Sequence, residues 1–417
     1  MDSGHTAWML TASALVFFMT PGLAFFYGGL VRAKSLVNTI MLSFMTICVV
    51  TIVWTLWGYS LAYGPNVGGD PIIQGLIGNF SALGLDGVRW DPIDSSGSFG
   101  GSGVDVLFQM MFAIITPALI TGAFVERFKF STYLIFTIIW ITVVYAPVAH
   151  WVWGGGWIGA DGAGALDFAG GIVIHITAGS AAVAAALLVG KRANPGLQPN
   201  NVPYVLLGAA ILWFGWFGFN GGSALSADGY AVNAMLVTQI SAATAATTWG
   251  LIGLFTTGKI SGVGVATGAI AGLAAVTPAA GSVNPLGALS IGLGAGVICY
   301  YAVELIHRTN LDDALDVFAV HGIGGFWGCI AAGIFTVESM APEGVKGLVQ
   351  SGSFDQVWIQ AYTSIAVLIY TFVISYAILF VLDKIPGLGL RVSETNENQG
   401  LDLAEHGEQA EVNDGAN

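Results

Sequence analysis

Charge is what this 417-residue chain has least of. Lys, Arg, Asp and Glu together make up 9% of it, while apolar and aromatic residues make up 55%. A typical soluble domain is about 25% charged, and so few charges could not cover a soluble core of this length. Basic residues are the scarcer sign, 12 against 25 acidic, for a net charge of -13. No basic patch exists to track nucleic acid. Cysteine is nearly absent too. Cys48, Cys299 and Cys329 each sit inside an apolar run, with no CxxC and no Cys/His metal spacing, so they read as small packed hydrophobes. The signatures HExxH, GxSxG and Walker A are missing, which argues against the common hydrolases and nucleotide enzymes. Gly154, Gly156 and Gly159 fit GxGxxG but follow an apolar run, whereas a dinucleotide site needs a strand before and a helix after. The stretch Met1 to Thr6 lacks the basic region of a signal peptide. Disorder is excluded by 13 Trp and 24 Phe, and the 59 Gly follow no collagen period.

What is present is a succession of long apolar runs. A bilayer core is about 30 Å thick and takes about 20 apolar residues per helix. Eleven runs qualify, near 7–31, 38–63, 104–125, 131–152, 171–190, 202–219, 231–255, 262–280, 285–307, 317–336 and 356–382. The weakest separation, Gly281 to Asn284, lies between the eighth and ninth. The fold expected is therefore an all-α integral membrane protein of eleven transmembrane helices. Its membrane domain is 1–382, with a first half about 7–190, a second half about 202–336 and a last helix about 356–382. A tail, 383–417, follows. Arg32, Lys34, Arg127, Lys129, Lys191, Arg192, Lys259, Arg308, Lys384 and Arg391 all follow odd-numbered runs, whereas only Arg89 and Lys346 follow even ones. Since positive charge favours the cytoplasm, the N-terminus is expected outside and the C-terminus inside. The loop 64–103 is then external and carries a sequon at Asn79-Phe80-Ser81. The acidic tail reads first as a solvated disordered segment and second as a docking segment.

Small residues recur at helical spacing. Gly264, Gly268 and Gly272 form one ladder, and Gly292 and Gly296 repeat its step; such ladders let backbones approach closely in lipid. Pro21, Pro117 and Pro147 mark bends within runs. Ionisable groups inside a membrane are costly and usually functional. The conspicuous ones are His175, in the fifth run, and His321, in the tenth. Asp167 precedes His175 by eight residues and Asp313 precedes His321 by eight. Each Asp is expected near the start of its span and each His near the middle. Five-helix halves that begin on opposite sides form an inverted repeat, whose interface lies near the midplane, and the two histidines would meet there. The alternative is a pair of core histidines satisfied by separate neighbours. Glu304 is the nearest candidate for an intramembrane carboxylate and reads as interfacial. Toward the outer end, His150-Trp151-Val152-Trp153 and Trp213 to Ser223 cluster aromatics. They fit an interfacial belt or a cation–π platform.

Several stretches resemble the Amt/Mep/Rh ammonium transporter family, Amt branch, of the prokaryotic type. They are Asp167-Phe168-Ala169-Gly170-Gly171 with His175, Gly215-Trp216-Phe217-Gly218-Phe219-Asn220, and Asp316-Val317-Phe318-Ala319-Val320-His321-Gly322. Phe26-Tyr27-Gly28-Gly29-Leu30-Val31-Arg32, Glu126-Arg127, Trp153-Gly154-Gly155-Gly156, Val276-Thr277-Pro278-Ala279 and Gly389-Leu390-Arg391-Val392-Ser393 agree. The resemblance implies the inverted five-plus-five repeat, a homotrimer and a pore in each subunit, in the cell membrane. It implies substrate recruitment by Phe112, Trp153, Ser223 and Asp167, a gate of Phe112 and Phe219, and pore residues His175, His321, Trp216 and Thr277. It also implies a regulatory tail using Arg391, Gly400, Asp402, His406 and Glu408 that packs under a neighbouring subunit. A PII-type signalling protein is the implied partner at the inner face. Glu411 stands where the family often has an aromatic, which bears on the detail of that docking. No enzyme activity, cofactor or metal is implied. The substrate expected is ammonium or ammonia, with methylammonium as analogue. The alternative is an ammonium sensor using the same fold.

Overall fold

The computed structural model describes residues 3–65, 75–90, 100–160, 162–196, 198–342 and 344–410. Glu411 lies outside them. The apolar runs become helices close to the expected limits: α1 Ser3–Leu30, α2 Ala33–Tyr63, α3 Gly103–Ala123, α4 Phe130–Trp153, α5 Gly171–Val189, α6 Val202–Gly222, α7 Gly229–Thr257, α8 Gly262–Ala279, α9 Pro285–His307, α10 Phe318–Phe335 and α11 Asp355–Lys384. All but α7 are long and apolar enough to cross a bilayer. α7 has 29 residues but is interrupted by Thr, Ser, Gln and Asn.

The polarity of α7 is explained by its packing. It lies between α8 and α9. A methyl group on Gly268 or Gly272 would fall 2.6 Å from Trp249 Cβ or Ala245 Cβ of α7, and one on Gly292 would fall 2.4 Å from Ser241 O. Both glycine ladders therefore clasp one helix. Most hydroxyls along α7 donate to the carbonyl four residues back, including Thr238, Thr244 and Thr248, while Ser241 reaches Gly272 O of α8 at 2.8 Å. Elsewhere the pairing follows an internal repeat. α1 packs along α6, the first helix of each expected half, and α5 meets the first turn of α10. α11 packs across α5 and α10.

Cys299 and Cys329 are buried, but Cys48 is exposed on the outward face of α2, which corrects its reading as a packed residue. An apolar side chain in a bilayer has no need of the interior. The end of the bundle that carries the basic residues is tied by buried charges. Glu126 sits 3.3 Å from Arg192 and 3.5 Å from Arg32, and Arg192 meets Asp312 at 2.7 Å. The fully buried Arg127 guanidinium donates to the carbonyls of Ala123, Val125, Gly190 and Asp312. Burial lowers its pKa to about 10.

Residues 385–410 of the tail are also part of this end, which corrects the expectation of a disordered segment for that stretch. α12, Glu394–Gln399, starts at a Ser393 cap, and a further helical turn, Asp402–His406, follows it. Glu397 accepts from the Ala193 amide at 2.6 Å and from Arg391 at 2.7 Å. The Asp402 carboxylate accepts the amides of Val37 and Asn38 at the start of α2, at 3.0 and 2.7 Å. His406 bonds Asn38 at 3.0 Å and stands edge-on to Phe130. Gly400, at φ +108°, passes so close to the Lys34 carbonyl that a Cβ would lie 2.5 Å from it. Glu408 is exposed. An acidic, polar composition hid most of these contacts, because the amides of Val37, Asn38 and Ala193, the Asn38 side chain and the Phe130 ring belong to distant elements.

Candidate functional site

Two short helices begin part-way along the bundle, and their first turns carry the histidines. Before α5 the chain has no helical turn from 162 to 170, so the amides that open α5 lack helical partners. Asp167 supplies them. Its carboxylate accepts from Gly170, Gly171, Ile172 and Val173 at 2.9, 2.6, 2.8 and 3.1 Å. Burial nevertheless raises its pKa, to about 6, against the lowering effect of those four bonds. The first turn of α5 is a π-turn, with the His175 amide bonded to Gly170 O five residues back. The second unit repeats the plan before α10. Asp313 accepts the Phe318 amide at 2.7 Å, and His321 lies in a second π-turn, Phe318–Ile323. Both histidines thus occupy the opening turns of helices, not their middles. That corrects the expectation of each His near the middle of its span, although the runs 171–190 and 317–336 begin within a residue of these helices.

The two units meet closely. A Cβ on Gly179 would lie 2.3 Å from Gly322 Cα, so the helices cross with backbone against backbone. His175 Nδ1 and His321 Nδ1 are 3.2 Å apart, with the rings nearly parallel at 5.2 Å between centroids. One of the facing nitrogens must donate and the other accept. Each neutral ring carries one N–H, so the donating ring keeps a bare Nε2 and the accepting ring an Nε2–H. Each of the two imidazoles is at least 97% buried, and His175 Nε2 has no hydrogen-bond partner among the described residues.

These imidazoles line a neck with about 10 Å³ of room, walled by Met19, Leu23, Ile115, Leu212, Trp216 and Phe219 among others. That is space for about one water-sized molecule. Trp216 donates to Thr277 Oγ1 at 2.9 Å, which fixes the indole beside His175. Phe219 stacks toward His175, and Phe112 closes the neck on the other side, 4.5 Å from Phe219. Beyond Phe112 is a vestibule of about 360 Å³ lined by Phe112, Trp153 and Ser223. Trp153 donates to Asp167 O at 2.8 Å, and Ser223 donates to Phe219 O at 2.8 Å. At the basic end a cavity of about 710 Å³ reaches His321 and Asp313. The order is vestibule, ring pair, histidine neck, basic-end cavity.

Of the residues expected for recruitment, gate and pore, Phe112, Trp153, Ser223, Phe219, His175, His321 and Trp216 converge on one path, whereas Thr277 stands behind Trp216 as its hydrogen-bond acceptor and does not line the neck. Asp167 lies behind that path, holding the start of α5 and not facing the vestibule. His150 is a satisfied residue of the aromatic end, its Nδ1 3.0 Å from Ala62 O. Sequence reasoning missed Asp105, Tyr59 and Gln109 near the vestibule, and the apolar neck residues Met19, Ile115 and Leu212. Asp105 had a visible signal, since Ser102-Gly103-Val104-Asp105 is a capping-box pattern, but one that hides any other role. The neck residues had none.

The sequence pattern of the Ammonium Transporter Family matches residues 7–411. The ammonium transporter of Bacillus subtilis is 44% identical over 412 residues, spanning 98% of this chain and 99% of that protein. The crystal structure of Saccharomyces cerevisiae Mep2 superposes with a TM-score of 0.86 at 35% identity, over 94% of this chain and 88% of that one. A structure described as Sensor Amt Protein superposes with a TM-score of 0.86 at 30% identity, over 97% and 98%. A match of this length, on a fold that brings the two Asp/His units together, leaves one conclusion: the chain belongs to the ammonium transporter family.

Proposed function

We propose that the protein carries ammonium across the cell membrane by admitting the ion to the aromatic vestibule, removing its proton and passing ammonia through the histidine neck. The observation that carries this reading is the neck itself, which has room for one small molecule and, among its described lining side chains, no polar groups but imidazole and indole nitrogens. An unpaired ion there would meet a Born cost of order tens of kcal/mol. Removing a proton from a lysine-like ammonium at pH 7 costs about 4–5 kcal/mol. Deprotonation is the cheaper route, and potassium has no proton to lose. Phe112, Trp153 and Ser223 recruit the cation through π-faces and a hydroxyl. The Phe112 and Phe219 rings gate it. The paired imidazoles then offer the neutral molecule one donor and one acceptor, and the proton follows by a separate path. The protein works by conduction and not by turning over a substrate.

In this reading all eleven long helices span, α7 included, with the basic end and the tail 383–417 in the cytoplasm. The ten-to-two partition of Lys and Arg supports that orientation. A homotrimer covers part of the apolar surface of α6 to α9, and a PII-family protein docks at the basic end. A mass measurement in detergent and a titration with a PII protein test those two assemblies.

The central test is current in proteoliposomes. Wild-type protein is expected to respond to ammonium and methylammonium and to ignore potassium. Replacing both histidines with leucine is expected to abolish that exclusion. A double variant that still rejected potassium while passing ammonium would refute the role of the pair. The likeness to the Sensor Amt Protein structure supports a second reading, in which the same vestibule senses ammonium. Sealed liposomes that bind ammonium but carry no current would favour it.

A further inference from the structure

The vestibule contains a carboxylate that the family reading leaves without a role. Among its described lining residues Asp105 carries the only charge; the others are aromatic, apolar or neutral polar. We infer that Asp105 is the ionic part of the recruitment site, a fixed negative charge that holds a small N–H-bearing monovalent cation before it passes Phe112. The inference rests on the reading of this vestibule as the place where ammonium enters.

Helical spacing puts Asp105, Phe108, Gln109 and Phe112 on one stripe of α3, at i, i+3, i+4 and i+7. All four line the same cavity. The stripe thus runs from the carboxylate to the gate ring, and Phe108 meets Phe112 edge-on at 4.8 Å between centroids. Asp105 is held in place. Its Oδ2 accepts from the Tyr59 hydroxyl at 2.8 Å and from the Gly101 amide at 3.3 Å. Gln109, one turn on, interacts with the same carboxylate. The simpler account is a capping box, since the Asp105 amide bonds Ser102 Oγ at 3.2 Å. That account explains an acid in the first turn of a helix. It does not explain a carboxylate 5% exposed, braced by a phenol from α2, in the wall of a cavity that otherwise offers π-faces. The opposing charge nearby is Arg89, whose guanidinium is bonded to Gly100 O at 2.7 Å. A carboxylate attracts potassium as well as ammonium, so Asp105 raises local cation concentration and leaves selection to the neck.

The experiment is ammonium-driven current in proteoliposomes across a concentration series. Asp105→Asn keeps the shape and an acceptor for Tyr59. It is expected to raise the half-saturating ammonium concentration about tenfold, with the maximal current within about twofold. The same rise is expected for methylammonium, and added inert salt is expected to weaken wild-type recruitment more than that of the variant. Tyr59→Phe keeps the charge and loosens its seat, so its half-saturation is expected to rise clearly less than that of Asp105→Asn. Asp105→Ser, which retains a helix-starting side chain, serves if Asp105→Asn does not assemble, with the same expected rise. Unchanged half-saturation in a folded Asp105 variant overturns the inference, and so does an equal shift in Asp105→Asn and Tyr59→Phe, which would mark a purely structural role. Absence of current in the wild type would instead refute the transport reading.

Discussion

The two Asp/His units share a spacing and differ in wiring. Asp167 has both oxygens filled by four amides, and it lies behind the aromatic vestibule. Asp313 holds the start of α10 with its Oδ2, while its Oδ1 has no partner among the described residues. It borders the wide basic-end cavity with Lys191, Arg192, His307 and Asp316. Burial first, and then the neighbouring Asp316, raise its pKa to about 7. Asp316 itself sits at φ +60°, a region non-glycine residues seldom occupy. An internal repeat thus preserves where a histidine is placed without preserving how its helix is anchored. The first carboxylate has both oxygens filled, and the second keeps one oxygen without a partner among the described residues.

That contrast predicts unequal responses to the same isosteric change. Asp167→Asn offers one oxygen to four amides and turns an NH₂ toward the rest, so it is expected to cost about 2–4 kcal/mol of stability. Thermal unfolding followed by size-exclusion chromatography in detergent measures it. A variant as stable as wild type would erase the distinction between the units. Next in size is Gly179→Ala, which drives a methyl into the Gly322 backbone. It is expected to cost about 1–3 kcal/mol and to lower ammonium current by separating the rings. Normal current would mean the crossing tolerates more spread than the distances allow. The smallest effect is a trend with pH. The folded pKa of Asp313, about 7, exceeds an unfolded value of about 3.9. Its protonation therefore adds stability that is complete below about pH 4 and is lost as pH rises through about 7. Compared with Asp313→Asn, the wild type should lose ground between pH 5 and pH 8. Melting temperatures at those two values check the sign.

Much of the fold is legible because lipid demands long apolar runs and internally satisfied backbones. The helix limits and both glycine ladders follow from that demand. Asp167 and His175, like Asp313 and His321, show themselves by repeated spacing. The starts of α5 and α10 show as well, since the runs 171–190 and 317–336 begin within a residue of Gly171 and Phe318; the π-turns that carry the histidines do not, because Gly171 to Ile174 are as apolar in one kind of helical turn as in another. Cys48 misled for a related reason, since hydropathy cannot tell lipid from core. Asp402 and Glu397 gave no local sign, as their partners are the amides of Val37, Asn38 and Ala193, far away in the chain. Asp105 was masked by a legitimate second explanation, the start of α3.

Transporters built on inverted repeats commonly work by rocking one half against the other about a fixed site. The glycine contacts described above leave little freedom for such a stroke. Gly179 and Gly322 join the halves at backbone distance beside the histidines, and α7 is gripped from two sides. Motion is left to side chains, above all the two phenyl rings and the shared imidazole proton. If ammonium passes as proposed above, ring rotation and proton hops would pace it, on the timescale of rotamers and not of domains.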